Sequence, residues 1–389
     1  MTPPLEHPLG LLALIAGMTA AAFWLERRYA WARQASASLL VIAGGALLSN
    51  LGLVPLASPA YDAITGPVTS LAIVWLLFAV DLSTLKAAGP RMLLAFAVAL
   101  AATAAGALAA SLALGHAFAD DAWRLAGVMT GTYSGGSVNF VAVSRAVGLE
   151  DELLVAATAA DNVMTALWVG ATLALPLWLA GPFRLRRAGR PASGGLRAEP
   201  ARPAVDAENP LQKEVALAPV SLLALLTIGL LVTIAAEALE GVWPAVPAVL
   251  WLTTLALALA QLPWVRRLRG TMQLGLIALN LFFAVIGIYS RVGEILEVGV
   301  EVFYFTAIVV LVHGLLAFGA AWLLRLDVET TAVASQAAVG GPSTALALAV
   351  SRGWTHLQLP AVAVGLLGYA VGNYAGLAVA AVVRRLLGG

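Results

Sequence analysis

The sequence predicts an all-α polytopic membrane protein, with about 11 to 12 transmembrane helices in two repeats that each contain one broken helix. Three observations carry this. Of 389 residues, 61% are hydrophobic and only 11% are charged, whereas soluble domains carry about 25% charged residues. Apolar runs of roughly 20 residues, the length that crosses a bilayer as a helix, recur from end to end. Two stretches related by an offset of 205 positions interrupt such runs with paired glycines.

The first stretch reads Thr132-Tyr133-Ser134-Gly135-Gly136-Ser137-Val138-Asn139 and closes on Val143-Ser144-Arg145. The second reads Gln336-Ala337-Ala338-Val339-Gly340-Gly341-Pro342-Ser343-Thr344 and closes on Val350-Ser351-Arg352. Upstream, Leu76-Leu77-Phe78-Ala79-Val80 matches Leu281-Phe282-Phe283-Ala284-Val285 at the same offset, as Lys86 matches Arg291. An unwound segment frees backbone groups, which hydrocarbon tolerates only where they line a protein cavity. Two halves with one such segment each are the pattern of a secondary transporter.

In chain order, the apolar runs place spans at 9–25, 37–57, 62–81, 91–115, 124–147 and 152–181. A second set follows at 215–237, 244–262, 270–290, 298–325, 328–352 and 358–384. This divides the chain into a first membrane repeat at 1–181, a basic linker at 182–214 and a second repeat at 215–389. The linker carries five prolines with Arg184, Arg186, Arg187, Arg190, Arg197, Arg202 and Lys213, and reads as a cytoplasmic connection. Arg27, Arg28 and Arg33 place the first loop inside, as Lys86 and Arg91 do the third. Arg266, Arg267 and Arg269 place the loop after the eighth span inside, and Arg384 and Arg385 the C-terminus. The third span then runs inward and its partner, the ninth, outward, so the halves are expected to be inverted. Inversion needs an odd number of crossings between the two starts, so either one element is re-entrant, or one boundary is misplaced, or the halves are parallel; an inverted repeat with one miscounted element is the expectation.

The absence of cysteine excludes disulfides, thiolate metal sites and cysteine nucleophiles. Met1–Gly10 has no Lys or Arg, so no signal-peptide start is expected there. The net charge of +1 sits in loops and gives no basic face for nucleic acid. Arg in place of Lys suggests a GC-rich bacterial genome.

The fifth span is the most polar. Thr130, Thr132, Tyr133, Ser134, Ser137 and Asn139 surround Gly135-Gly136. The expectation is a broken helix whose free N–H and C=O groups, with these side chains, hold a small polar ligand. The competing reading is small-residue packing between helices. Gly340, Gly341, Ser343 and Thr344 supply the matching segment, where Pro342 obstructs the helix. Asp161-Asn162 lies inside the sixth span, and a carboxylate there is expected to face an ion path. Asp161, Asn162 and Thr132 are therefore the candidate ion-coupling residues. Gly368, Gly372 and Gly376 form a packing face in the last span, and Asn373 is its candidate binding residue. His313, in the tenth span, is a candidate for proton coupling against the simpler reading of a hydrogen-bonded structural group. Arg145 and Arg352 read as interfacial side chains.

The run Gly131-Thr132-Tyr133-Ser134-Gly135-Gly136-Ser137-Val138-Asn139-Phe140-Val141-Ala142, followed by Ala159-Ala160-Asp161-Asn162, resembles the YjcL-like bacterial membrane proteins, a family of unassigned function (domain of unknown function 819). The resemblance covers nearly the whole chain and implies no substrate. A more distant likeness is to sodium/proton antiporters and bile-acid-type sodium symporters. It implies two broken helices crossing in a core that moves against a panel, and an ion-binding acidic pair on the next helix. Asp161-Asn162 stands in that place with the order of an Asn-Asp pair reversed. The antiporters' core lysine has no counterpart in the tenth span, where His313 is the nearest polar candidate.

The expectation is thus a non-enzymatic secondary active transporter of a small polar or anionic solute. It would be coupled to Na+ or H+ by a rocking core, would need no cofactor, and would sit in a bacterial inner membrane. Spans 4 to 6 and 10 to 12 would form the core. The other spans would form a lipid-embedded panel, the candidate homodimer contact. The alternatives are a cation/proton antiporter and a non-transporting scaffold or sensor.

Overall fold

The computed structural model describes residues 5–187, 218–289 and 292–387, and shows no strand among them. In chain order the α-helices are α1 (Pro8–Arg28), α2 (Ala30–Asn50), α3 (Pro59–Ala63), α4 (Thr69–Phe78), α5 (Leu85–Leu114), α6 (Ala122–Gly135), α7 (Ser137–Val147) and α8 (Asp151–Arg187). They continue with α9 (Pro219–Val242), α10 (Ala248–Ala260), α11 (Pro263–Arg266), α12 (Thr271–Tyr289), α13 (Val292–Leu323), α14 (Val328–Ser351) and α15 (Thr355–Leu387). Among the described residues, nine helices are long and apolar enough to cross a membrane, and Ala37–Asn50, Ser137–Val147 and Ala248–Ala260 are shorter apolar helices. The protein is a polytopic all-α membrane protein. Helices suit this solvent because they satisfy their backbone internally where water is absent.

α8 runs through Pro182 to Arg187. The rest of the expected linker, 188–214, lies outside the described residues, as does Arg291.

The chain divides into two compact units. Unit 1 comprises Met1–Ala79, Ser144–Asn162 and Val215–Tyr304. In it α2 packs on α12 with almost no side chain between them. A Cβ on Gly45 would lie 2.5 Å from the Ala284 carbonyl oxygen, and one on Gly287 would lie 2.3 Å from that of Ile42. Such contact is the usual route to affinity between helices in lipid, where apolar burial gives no driving force. α4 is fixed to α9 by the Trp75 indole N–H, which donates to the Leu225 carbonyl at 2.9 Å.

The third span, expected to be continuous, is interrupted. Between α3 and α4 the turn Ile64–Val68 is a wide π-type turn, with Gly66 off the helical region at φ −87° and ψ −106° and Pro67 following it. Pro67 brings no donor to the ladder. The Gly66 carbonyl is bonded from a distant part of the chain: the Arg145 guanidinium donates to it at 3.2 Å and to the Ser70 hydroxyl at 3.0 Å.

Unit 2 comprises Val80–Val143, Val163–Glu214 and Phe305–Gly389. It contains α5, α6, α14 and α15 with parts of α7, α8 and α13, so the unit boundaries fall within those last three helices. Its centre is the packing of α15 against α6 and α14 through glycines. Added Cβ atoms would lie 2.8 Å from the Gly127 carbonyl oxygen at Gly376, 2.7 Å from the Gly135 Cα at Gly368, and 2.4 Å from the Pro342 Cα at Gly365. The packing face expected from Gly368, Gly372 and Gly376 is therefore present.

Candidate functional site

The site grows from two backbone interruptions in unit 2. α6 loses helical geometry at Tyr133 (φ −85°, ψ 17°) and stops before Gly136, which adopts φ 95° and ψ −170°. α14 does the same at Gly341, with φ 75° and ψ −171°, followed by Pro342. Both glycines occupy a region essentially closed to residues with a Cβ. The Gly136 N–H turns back to the Thr132 carbonyl at 2.6 Å, and the Gly136 carbonyl accepts from the Asn139 N–H at 3.0 Å.

The two interruptions touch. A Cβ on Gly136 would lie 3.5 Å from the Gly341 Cα, and one on Gly341 would lie 3.3 Å from the Gly135 carbonyl oxygen. α15 lies against the same point. Gly368 faces Gly135, Gly372 faces the Asn139 amide, and the Tyr369 ring comes to 3.6 Å from where a Gly341 Cβ would be.

The structure thus brings Ser134, Gly135, Gly136, Asn139, Gly340 and Gly341 to one place. Ser134 and Asn139 are completely buried. The Asn139 amide donates to the Gly368 carbonyl at 3.0 Å. Among the described residues, neither the Ser134 hydroxyl nor the Asn139 side-chain oxygen has a hydrogen-bond partner. Buried polar atoms are rarely left so, because the desolvation cost is about 1–3 kcal/mol each. Two such atoms, on Ser134 and Asn139, flank one helix break.

Past the second break, Ser343 and Thr344 are half-buried, as is Ser137 at the start of α7. Thr344 donates to the Gly341 carbonyl at 3.3 Å and accepts from the Gln336 amide at 3.0 Å, while the Gln336 oxygen accepts from Thr172 at 2.8 Å. Asn373 is buried on α15 beside Gly372, and Thr132 is buried on α6.

His313 is fully buried on α13. Its Nδ1 is 2.8 Å from the Thr103 hydroxyl, which is also 2.8 Å from the Tyr133 carbonyl oxygen. Its Nε2 is 2.7 Å from the Ser335 hydroxyl, to which the Trp168 indole N–H donates at 3.1 Å. The Trp168 ring stands edge-on to the imidazole, with centroids 5.5 Å apart.

Asp161 and Asn162 lie on α8 in the segment Ser144–Asn162, which belongs to unit 1, whereas the crossing belongs to unit 2. Asp161 is buried, and the Asn162 amide donates to the Thr158 carbonyl one turn back at 2.9 Å.

Residues 13–386 match the family described as "Protein of unknown function (DUF819)". The chain belongs to that family. It is also 28% identical over 376 residues to the "Uncharacterized membrane protein YjcL" of Bacillus subtilis (strain 168), a match covering 94% of each chain.

In this family member no sequence motif marks Thr103, Trp168 or Ser335. The available signal was weaker: each is a lone hydrogen-bonding side chain inside an apolar span. Trp168 also borders an apolar groove between α8 and α13, lined by Gly314, Leu315, Phe318, Gly319 and Trp322. Its lining is suited to hydrocarbon and offers no polar group for orienting a solute.

Proposed function

We propose that this protein is a secondary active transporter of a small polar or anionic solute, with its substrate site at the contact of the two interrupted helices. The observation that carries this reading is the meeting of Gly136 with Gly341 beside the unpartnered oxygens of Ser134 and Asn139. The N-terminus of α7 presents free N–H groups and a positive dipole end to a ligand at this point. The carbonyls, hydroxyls and amide around it can orient a solute without a fixed charge. Transport is coupled to Na+ or H+, for which Asp161, with Asn162 as a neutral neighbour on α8, and His313 on α13 are the candidates. Coupling requires the ion to stabilise one state of the transporter more than the other. The reading includes no catalytic step, and places the protein in a bacterial inner membrane with residues 182–214 cytoplasmic.

The test is thermal melting of the purified full-length protein across Na+, Li+, K+ and pH, with small carboxylates, amino acids and dipeptides. A ligand at a hundredfold excess over its Kd stabilises the native state by about 2.7 kcal/mol. The expected result is a rise with a particular solute that disappears in Ser134→Ala and Asn139→Ala. Rises that persist unchanged in both variants, or no response to any solute or ion, would sink the reading and favour a scaffold.

A further inference from the structure

α13 stands as a ridge between two apolar grooves. The first encloses about 550 Å3 and is lined by Leu315, Gly319 and Trp322 together with residues of α8 between Trp168 and Phe183. The second encloses about 590 Å3, and Val98, Ala101 and Ala102 of α5 line it with the same Leu315, Gly319 and Trp322. Both volumes fall in the range of about 300–1,000 Å3 that ligand sites occupy. Along α13 the first groove runs from Leu311 to Trp322, about 16 Å at a rise of about 1.5 Å per residue. That is the depth of one leaflet, half of a hydrocarbon core roughly 30 Å thick.

The ridge is lowest at Gly319. Among the described residues nothing lies within 4 Å of a Cβ placed there, whereas one on Gly314 would lie 2.4 Å from the Trp168 ring. Gly314 lets two helices pack; Gly319 does not. A glycine inside a helix costs stability relative to alanine. Here the missing side chain makes room on the outside of the protein, where the two grooves share a wall.

One end of the grooves carries different chemistry. The Trp322 indole N–H donates to the Pro182 carbonyl at 3.3 Å, so α8 and α13 end on the same side of the bilayer. Tryptophan is enriched at the level of lipid headgroups. Three positions on, Arg325 has φ 58°, the one positive φ outside glycine among the described residues. Its turn is closed by backbone bonds from Arg325 to Trp322 and from Leu326 to Ala321. The same pair of bonds ends α2, α7 and α14, and there the left-handed residue is Gly52, Gly148 or Gly353. Glycine is what this conformation favours, so the turn itself does not account for an arginine.

Arg325 is exposed and has no ion-pair partner among the described residues. Arg91 on α5 is likewise exposed and unpaired. A Cβ on Gly106 would lie 2.5 Å from the Val309 carbonyl oxygen, while Val98 lines a groove with later residues of α13. The two helices are therefore antiparallel, and Arg91 belongs to the Arg325 end. Asp327 and Glu329, the acidic residues nearest in sequence, lie at the start of α14, where the helix dipole draws negative charge.

We propose that the paired grooves bind a two-chain phospholipid with an anionic headgroup, one acyl chain on each side of α13 and the phosphate drawn to Arg325 and Arg91. The grooves share one wall and one mouth, as the two chains of a lipid share one headgroup. The cations at that mouth select against a headgroup of no net charge. The proposal does not depend on the transport reading.

The experiment is native mass spectrometry and thermal melting of the delipidated full-length protein. The probes are phosphatidylglycerol, phosphatidylcholine and single-chain lysophosphatidylglycerol. Wild type should retain phosphatidylglycerol, and melt higher with it than with either other lipid. Arg325→Gly supplies the residue that the turn favours, so the lipid-free variant should melt at or above wild type. Its affinity for phosphatidylglycerol should nevertheless fall about fivefold, the share of one basic residue at an anionic surface. Gly319→Leu fills the space between the grooves. It should weaken phosphatidylglycerol and phosphatidylcholine alike without lowering the lipid-free melting point. Equal affinity of wild type for these two lipids, or wild-type affinity for phosphatidylglycerol in both variants, overturns the proposal. So does a dimer that Gly319→Leu dissociates whatever the lipid, which would place a second copy of the chain in the grooves.

Discussion

Gly135 and Gly368 are in backbone contact: a Cβ on Gly135 would lie 2.2 Å from the Gly368 carbonyl carbon. The clash would be with main chain, which cannot rotate away. Gly368→Ala should therefore push α15 off α6 and cost at least the roughly 1–3 kcal/mol of ordinary overpacking. Gly170→Ala is the control. Nothing lies within 4 Å of a Cβ there, and Ala is favoured over Gly in a helix by about 1 kcal/mol. Melting of the two variants in one detergent should move in opposite directions.

Gly136 and Gly341 make a different prediction, because backbone conformation restricts both, with a tight 3.3 Å approach of a Gly341 Cβ to the Gly135 carbonyl oxygen added at Gly341. At 3.5 Å a Gly136 Cβ would be in ordinary contact with Gly341. The restriction is conformational, at φ 95° and 75°. Alanine at either position should cost about 1–3 kcal/mol from backbone strain. Both variants should weaken solute-dependent stabilisation as well. Wild-type solute response in Gly136→Ala would mean that the break is not part of the binding site.

Ser134→Ala separates stability from binding. Its hydroxyl is buried with no partner, so its removal should leave the melting point unchanged or raise it, by up to about 1–3 kcal/mol of relieved desolvation. The same variant should lose the response to solute. A destabilised protein would show that the hydroxyl is bonded within the fold.

Asp161→Asn keeps the shape of the side chain and removes its charge. If Asp161 carries a cation, the variant should fold and lose Na+-dependent stabilisation. Full Na+ response in Asp161→Asn would remove it from the ion site.

Arg145 tests the interruption in the third span. Arg145→Met keeps most of the apolar stem and deletes the donors to Gly66 and Ser70. Hydrogen bonds from a charged donor contribute about 1.5–3 kcal/mol when buried, and less where water competes. Arg145 is exposed, so the expected loss is about 1 kcal/mol, read as a lower melting point. No change would mean that solvent supplies the Gly66 carbonyl equally well.

The sequence by itself determined that this is a helical membrane protein, because composition and run length leave the backbone no other way to be satisfied in lipid. It also located both interruptions. Paired glycines in an apolar span are a local signal, and positive φ at Gly136 and Gly341 is a local consequence. The glycine face of α15 was legible for the same reason, as a fixed spacing on one helix. The break at Gly66-Pro67 was missed: a single Gly-Pro within an apolar run is tolerated by many spanning helices, and the Arg145 side chain that bonds its carbonyl comes from 79 positions away. Only the tertiary structure decided that Gly136 lies against Gly341, and that Thr103, His313 and Ser335 form one chain across 210 and 22 positions of sequence. Those pairings come from close packing between helices distant in sequence. Periodicity reads which face of a helix is apolar, but not which other helix meets it or which lone hydroxyl is carried opposite a ring nitrogen.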